Sequence, residues 1–312
     1  MHPMHRSVRE LSVAVVLLAM SPALLEAQGT PPVGFLDAHV HLNDAETWVG
    51  IMDQVGMDWS VAFAGRNIDN AGLLEAARRW PGRFRPFLSV SPEHRAFRPS
   101  WTADDEALLP MVDSLLATGG FYGIGEISVT HFAASGFPEA DFDPNGRTMR
   151  GLLGLARKHG LPVTVHVEVT RLRELEAALT DFRDVSVIWA HGGYTPLFLA
   201  ARLLSNHPNL IYELSARTWA RHPRSPDYTI FRNETEVWPE WIALVEEMPT
   251  RFIVGTDAAL ASRQSDLAKT RGVDAFLNQL SPRVRGLVGR ENLERILTHP
   301  SARNATIGSV RR

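Results

Sequence analysis

The chain has 312 residues, of which 45% are hydrophobic, and a formal net charge of −3. That near-neutral charge gives no electrostatic basis for a nucleic-acid partner. Cysteine is absent, which excludes disulfides, thiolate catalysis and sulfur-ligated metals, so any metal must sit on histidine and carboxylate. Lysine occurs only at Lys158 and Lys269 against abundant arginine. We read this as a coding bias that removes lysine from most mechanistic roles.

Residues 1–10 carry Arg6 and Arg9, residues 11–25 are mostly apolar, and the small residue Ala27 follows. A charged start, an apolar middle and a small residue form the layout of a secretory signal peptide. The apolar run is short for a bilayer span, and an uncleaved membrane anchor is the rival reading. The expectation is a signal peptide over residues 1–27, cleaved after Ala27, and a secreted or periplasmic domain over 28–312. Lipid or membrane anchoring stays open. The remaining length suits one α/β barrel of roughly 250 residues or two ordinary domains.

After the leader, short apolar runs alternate with amphipathic stretches. A strand over 34–41 precedes a helix over 47–56, and a strand over 58–64 precedes a helix over 72–80. Strand 84–90 leads to helix 104–118, strand 122–129 to helix 147–159, and strand 162–167 to helix 170–182. Strand 185–190 leads to helix 196–205, strand 210–214 to helix 241–247, and strand 252–255 to helical sequence over 274–297. The strands are continuous apolar runs, as expected when both faces of a sheet are covered. Eight strand-then-helix units predict a single-domain (β/α)8 TIM barrel rather than an open doubly wound sheet. The long connections 91–103, 130–146, 216–240 and 258–272 all follow strands, so they belong to the carboxyl-end face where barrel active sites are built. Residues 218–240, with Trp219, Tyr228, Phe231 and Trp238, are a lid or pocket wall, or else a surface excursion.

The first strand closes with Asp37-Ala38-His39-Val40-His41. Strand side chains alternate, so His39 and His41 project to one side, and paired imidazoles suit a divalent transition metal. Strand four holds Glu126 in Gly123-Ile124-Gly125-Glu126-Ile127. Strand five ends at His166, strand six at His191 and strand eight at Asp257. Each has a bland reading alone: a satisfied core histidine for His191, a helix cap for Asp257, an arginine partner for Glu126. Together they reverse those odds. Buried polar and charged groups cost several kcal/mol each without partners, and a metal gathers all six. Asp37 shares the parity of the histidines, so it orients a ligand or caps the barrel floor. Arg66, His131 and Arg217 lie just past strand ends and are candidates to bind a substrate carboxylate. His94, His207, His222 and His299 carry no argument.

The Asp37–His41 run, the strand-five and strand-six histidines and the strand-eight aspartate resemble the amidohydrolase superfamily. The nearest likeness is to its amidohydrolase-related branch, which includes lactonases and nonoxidative decarboxylases. The closing stretch Leu297-Thr298-His299-Pro300-Ser301-Ala302-Arg303-Asn304-Ala305 is similar to that branch's C-terminal segment. The resemblance covers residues 34–306 and implies a metal-dependent barrel enzyme. It implies metal ligation by His39, His41, His166, His191 and Asp257. Many members bridge two metals with a carboxylated lysine on strand four. Here Glu126 stands instead, as in the metal-dependent deoxyribonuclease branch. It either bridges two ions or contacts substrate beside one.

Nitrogen and oxygen ligands without sulfur suit zinc, one ion or two, with manganese, nickel or iron as alternatives. Such an ion lowers the pKa of bound water and polarises a carbonyl. Asp257 is the candidate to move the proton and His191 to polarise the carbonyl. The expectation is a secreted hydrolase of a small ester, lactone or amide. The alternative is a nonoxidative decarboxylase, with a phosphoesterase third. The expected partner is a small-molecule substrate, without nucleic acid and without stable membrane insertion after cleavage. A homo-oligomer stays open.

Overall fold

Each predicted apolar run forms a strand, and eight of the strands lie parallel. The computed structural model describes residues 34–90, 106–132 and 139–298. The expected leader, the connection 91–103, His94 and the stretch from His299 onward lie outside the described residues. The strands are β1 (Asp37–Leu42), β2 (Ser60–Ala64), β3 (Phe84–Leu88), β4 (Gly123–His131), the two-residue β5 (Ala140–Asp141), β6 (Val163–Val167), β7 (Val187–Trp189), β8 (Leu210–Glu213) and β9 (Phe252–Ile253). Their order is β1-β2-β3-β4-β6-β7-β8-β9, with β5 antiparallel on β4. The ring comes nearly closed where Ala38 N donates to Val254 O at 3.0 Å and His41 N donates to Ala258 O at 2.8 Å.

Helices alternate with the strands: α1 (Ala45–Val55), α2 (Asn70–Arg79), α3 (Leu109–Leu116), α4 (Arg147–His159), α5 (Leu172–Asp181), α6 (Leu197–Asn206), α7 (Pro239–Glu247) and α8 (Arg263–Leu277). They start and stop where the sequence places caps. Asp44 accepts from Thr47 N and Asp69 from Gly72 N, while α1 and α4 end on left-handed Gly56 and Gly160. In α4 the buried residues Met149, Leu152, Leu153 and Ala156 follow the helical period. Such stripes pack on the outer barrel face.

The expected boundaries need correction in two places. Residues 258–272 were expected as a connection, yet α8 begins at Arg263, because Ser262 caps it through Ser265 N at 3.1 Å. The helical sequence over 274–297 is broken before Pro282, which lacks an N–H. It resumes as α9 (Pro282–Gly286) and α10 (Asn292–Ile296). This last segment covers the amino ends of the strands. Leu36 N donates to Gly289 O, and Asn292 Nδ2 donates to Phe252 O.

The barrel interior holds Val61, Phe63, Phe87, Ile188, Ile211 and Ile253, packed with Leu293 and Ile296. The strand ends opposite α10 are left to carry polar groups. No helix among the described residues is long and apolar enough to cross a membrane. Phe87 is fully buried and meets Phe63 edge to face at 5.4 Å. Truncating Phe87 to Ala is expected to lower stability by about 3–5 kcal/mol, read as an earlier guanidinium unfolding midpoint at an unchanged slope.

Candidate metal centre

His39, His41, Glu126, His191 and Asp257 bring donor atoms together in two overlapping triads, His39–His41–Asp257 and His39–Glu126–His191, each with its three donors within 4.8 Å of one another. His39 and His41 share the inner face of β1, with Nε2 atoms 3.3 Å apart. Glu126, on β4, brings Oε2 to 3.3 Å from His39 Nε2 and 3.2 Å from His41 Nε2. Asp257, just after β9, places Oδ1 3.7 Å from both. An ion held tetrahedrally by ligands about 2.1 Å away separates its donors by about 3.4 Å. Five donor-to-donor distances in this set lie between 3.2 and 3.7 Å. The donor set therefore fits a divalent cation in chemistry and in spacing.

Neighbouring groups decide which nitrogen of each ring faces inward. His39 Nδ1 donates to Glu213 Oε2 at 3.2 Å, which leaves the Nε2 lone pair toward the centre. Glu213, at the end of β8, also accepts from Ser215 N and Ser215 Oγ, each at 2.6 Å. His191 Nδ1 donates to Ser215 O at 3.0 Å, so its Nε2 faces Glu126 Oε1 at 3.6 Å. Asp37 does not touch an imidazole. It accepts from His39 N at 2.9 Å and from Thr256 N and Oγ1 at 2.9 and 2.6 Å. It thereby ties β1 to the segment carrying Asp257, and burial pushes its carboxyl up to about 7.

His191 reaches its place through strained backbone. His191, Gly192, Gly193 and Tyr194 all have φ between 52° and 56°. Two of the four must be glycine for space as well as for φ. A Cβ on Gly192 would fall 1.8 Å from the Tyr212 ring, and one on Gly193 would fall 2.1 Å from Val167 O. The turn stacks Tyr194 on His191, with ring centroids 5.2 Å apart. Left-handed conformation costs non-glycine residues roughly 1–2 kcal/mol each, and such strain gathers where geometry is functional.

His166 joins the centre through Glu126. Its Nδ1 lies 3.1 Å from Glu126 Oε1, and its Nε2 lies 3.1 Å from Glu168 Oε1. Burial alone would lower its pKa, yet hydrogen bonds to both carboxylates raise it to about 9. The same contest holds His39 well above the usual range: burial acts to lower it, but Glu126 and Glu213 together outweigh burial. Burial acts to raise Glu126 and Asp257, but imidazole neighbours, with Lys269 for Asp257, hold both carboxyls below the usual range. Protons and a divalent cation thus compete for one donor set.

The outlying candidates separate. His131 ends β4, buried, with its ring 4.9 Å from His166. Its Nε2 accepts from Arg224 Nη2 at 3.0 Å. Arg66 is exposed, and its backbone N donates to Asn43. Arg217 is buried with its guanidinium over the Trp241 ring at 5.0 Å, on the α7 side. Its Nε and Nη1 have no hydrogen-bond partner among the described residues. The first part of residues 218–240 forms a wall beside the centre, where Tyr228 stacks on Tyr194 at 4.2 Å and His222 on Trp219 at 5.2 Å, whereas Phe231 joins the apolar core and Trp238 is exposed. His222, set aside in the sequence, belongs to this wall. Glu213, Ser215 and Glu168 were also missed. Two signals could have found them: a glutamate inside the apolar run 210–214, and Glu168 sharing strand parity with His166.

Because binding must displace protons from raised imidazoles, metal affinity is expected to fall as pH falls. Uptake is expected to release protons to the buffer. Calorimetry in two buffers of different ionisation enthalpy measures this. Identical heats would show no proton release.

A family model described as amidohydrolase matches residues 49–298. A search of curated proteins returned no match. Among solved structures, an amidohydrolase from Burkholderia multivorans with bound zinc aligns at TM-score 0.52 and 15% identity, covering 86% of this chain and all of that one. A 2,6-dihydroxybenzoate decarboxylase aligns at 0.54 and 12%, covering 85% and 99%. A probable 2-pyrone-4,6-dicarboxylic acid hydrolase from Acinetobacter baumannii aligns at 0.52 and 12%, also covering 85% and 99%. At these identities the structural likeness is one of fold. The family match spans most of the chain and all of the strand ends after β1, and the chain is an enzyme of the amidohydrolase superfamily.

Proposed function

We propose a secreted metal-dependent hydrolase that cleaves a small ester, lactone or amide. The observation that carries this reading is the clustering of donors from His39, His41, Glu126 and Asp257, five of whose mutual distances lie between 3.2 and 3.7 Å. His166 and His191 complete the proposed ligand field from the far side of Glu126. Zinc is the ion we favour, as one or two ions, with manganese, nickel or iron as alternatives. When bound, such an ion supplies Lewis acidity toward a carbonyl oxygen and makes a coordinated water easier to deprotonate.

The chain's residues supply the rest. Asp257 is held ionised by its cationic and imidazole neighbours, which suits it to take a proton from water and return it to the leaving group. His191 keeps an inward Nε2 through its bond to Ser215 O, and it either ligates the ion through that nitrogen or polarises the substrate carbonyl instead. Tyr194, Tyr228 and His222 form an aromatic cluster beside the centre, against which a ring or conjugated substrate would pack. His131, Arg66 and Arg217 remain candidates for a substrate carboxylate.

The family includes hydrolases and decarboxylases, and a lyase acting on an aromatic acid is the second reading. It is favoured by the aromatic wall and by the likeness to a dihydroxybenzoate decarboxylase. There Asp257 would protonate a carbanion. Screening esters, lactones, amides and aromatic acids while monitoring CO2 separates the two.

Elemental analysis of wild type beside the His39→Ala/His41→Ala double variant is expected to find stoichiometric metal only in wild type. Metal-free wild type would sink the proposal. Asp257→Asn is expected to keep most of the metal and lose about 10²-fold or more in kcat; full activity would remove Asp257 from proton transfer. N-terminal sequencing of exported protein is expected to begin at Gln28, whereas an intact Met1 in the membrane fraction would favour the anchor.

A further inference from the structure

Lys269 lies on α8, and only one other lysine occurs in the chain. That other one, Lys158, pairs with Asp113 at the surface. Lys269 is in a different setting. Its Nζ donates to the backbone carbonyl of Asp257 at 2.6 Å, lies 3.4 Å from buried Asp266 and sits 4.5 Å over the Trp219 ring. Both anchors grip the same loop again. Trp219 Nε1 donates to Thr256 O at 2.9 Å, and Asp266 Oδ2 accepts from Leu260 N at 2.7 Å. Between those two bonds, Asp257 and Leu260 have φ of 51° and 48°.

A carbonyl, a carboxylate and an indole face converge here on one cation. A compact ammonium with three rotatable donors meets such a set, whereas a guanidinium is a wide planar fork. The site therefore explains a lysine in a chain that otherwise uses arginine. Strained backbone persists only where its surroundings hold it, and a ligating carboxylate must be kept within about 0.5 Å of its working position.

We propose that Lys269 is a positioning residue: with Asp266 and Trp219 it clamps the carbonyl of Asp257 and so aims the carboxylate at His39 and His41. The role of Asp257 rests on the reading proposed above.

The test uses Lys269→Met, which keeps the apolar stem over Trp219, together with Asp257→Asn and the double variant. Each metal-free protein is titrated with Co²⁺ alone and followed by visible absorption. Lys269→Met is expected to weaken Co²⁺ about 10-fold or more and to change the spectrum. In the double variant the loss is expected to be no greater than in Asp257→Asn alone, because both act through one carboxylate. Additive losses, or a Lys269→Met spectrum and affinity equal to wild type, overturn the proposal. A crystal structure of metal-free Lys269→Met gives an independent reading. Asp257 is expected to leave its left-handed conformation, and an unmoved Asp257 overturns the clamp. Wild type that takes up no Co²⁺ would sink the metal reading alone, and the crystal structure then decides. If Lys269→Met does not fold, Lys269→Arg repeats both measurements with the same outcomes.

Discussion

A buried carboxylate ringed by imidazoles sets the terms for everything around it. Glu126 has His39, His41, His166 and His191 all within 3.6 Å. Charges of this density out of water are costly unless paired and hydrogen-bonded. The surrounding groups meet that demand in order. Glu213 backs His39 and Glu168 backs His166, while Ser215 holds both Glu213 and His191. Each imidazole near Glu126 except His41 therefore has a fixed outer partner, and the inward faces are left for a cation. The barrel makes this arrangement possible because parallel strands deliver their ends to one rim.

The same rim concentrates backbone strain. His191, Tyr194, Ala216, Asp257 and Leu260 are non-glycine residues with positive φ, and all follow β7, β8 or β9. The layers beneath offset that cost. The barrel interior and the helix-facing layer are continuous apolar clusters, and the α9–α10 segment seals the opposite end. Stability and chemistry are thus kept at opposite ends of the strands.

Much of this was legible in the residues. An apolar run that ends in histidine or aspartate violates the usual rule for buried strands, and that violation marked His39, His41, Glu126, His166, His191 and Asp257. The structure brings these six together at one rim. What escaped was one step further out. Glu213 breaks the apolar run of β8 as Glu126 breaks β4, but it stands one residue before the strand's expected end. His222 and Arg224 are brought to the centre by a connection whose path depends on packing against Tyr194, and no local pattern encodes that. Lys269 was discounted because lysine is scarce, though scarcity made its position more informative. The start of α8 was missed because Ser262 is a cap among several polar neighbours. Arg66, placed by its nearness to a strand end, lies exposed with its backbone N bonded to Asn43.

The wall beside the centre has an evolutionary consequence. Trp219, His222, Arg224 and Tyr228 come from one uninterrupted stretch between β8 and α7, while the metal-facing donors come from β1, β4, β6 and the ends of β7 and β9. Tyr194 joins the two sets, because it stacks on His191 and on Tyr228. An exchange confined to residues 220–238 would therefore alter much of this wall while leaving the donors, Ser215 and Trp219 in place. In this scaffold the candidate donors are spread over many strands, whereas the aromatic wall beside them is drawn largely from a single connection.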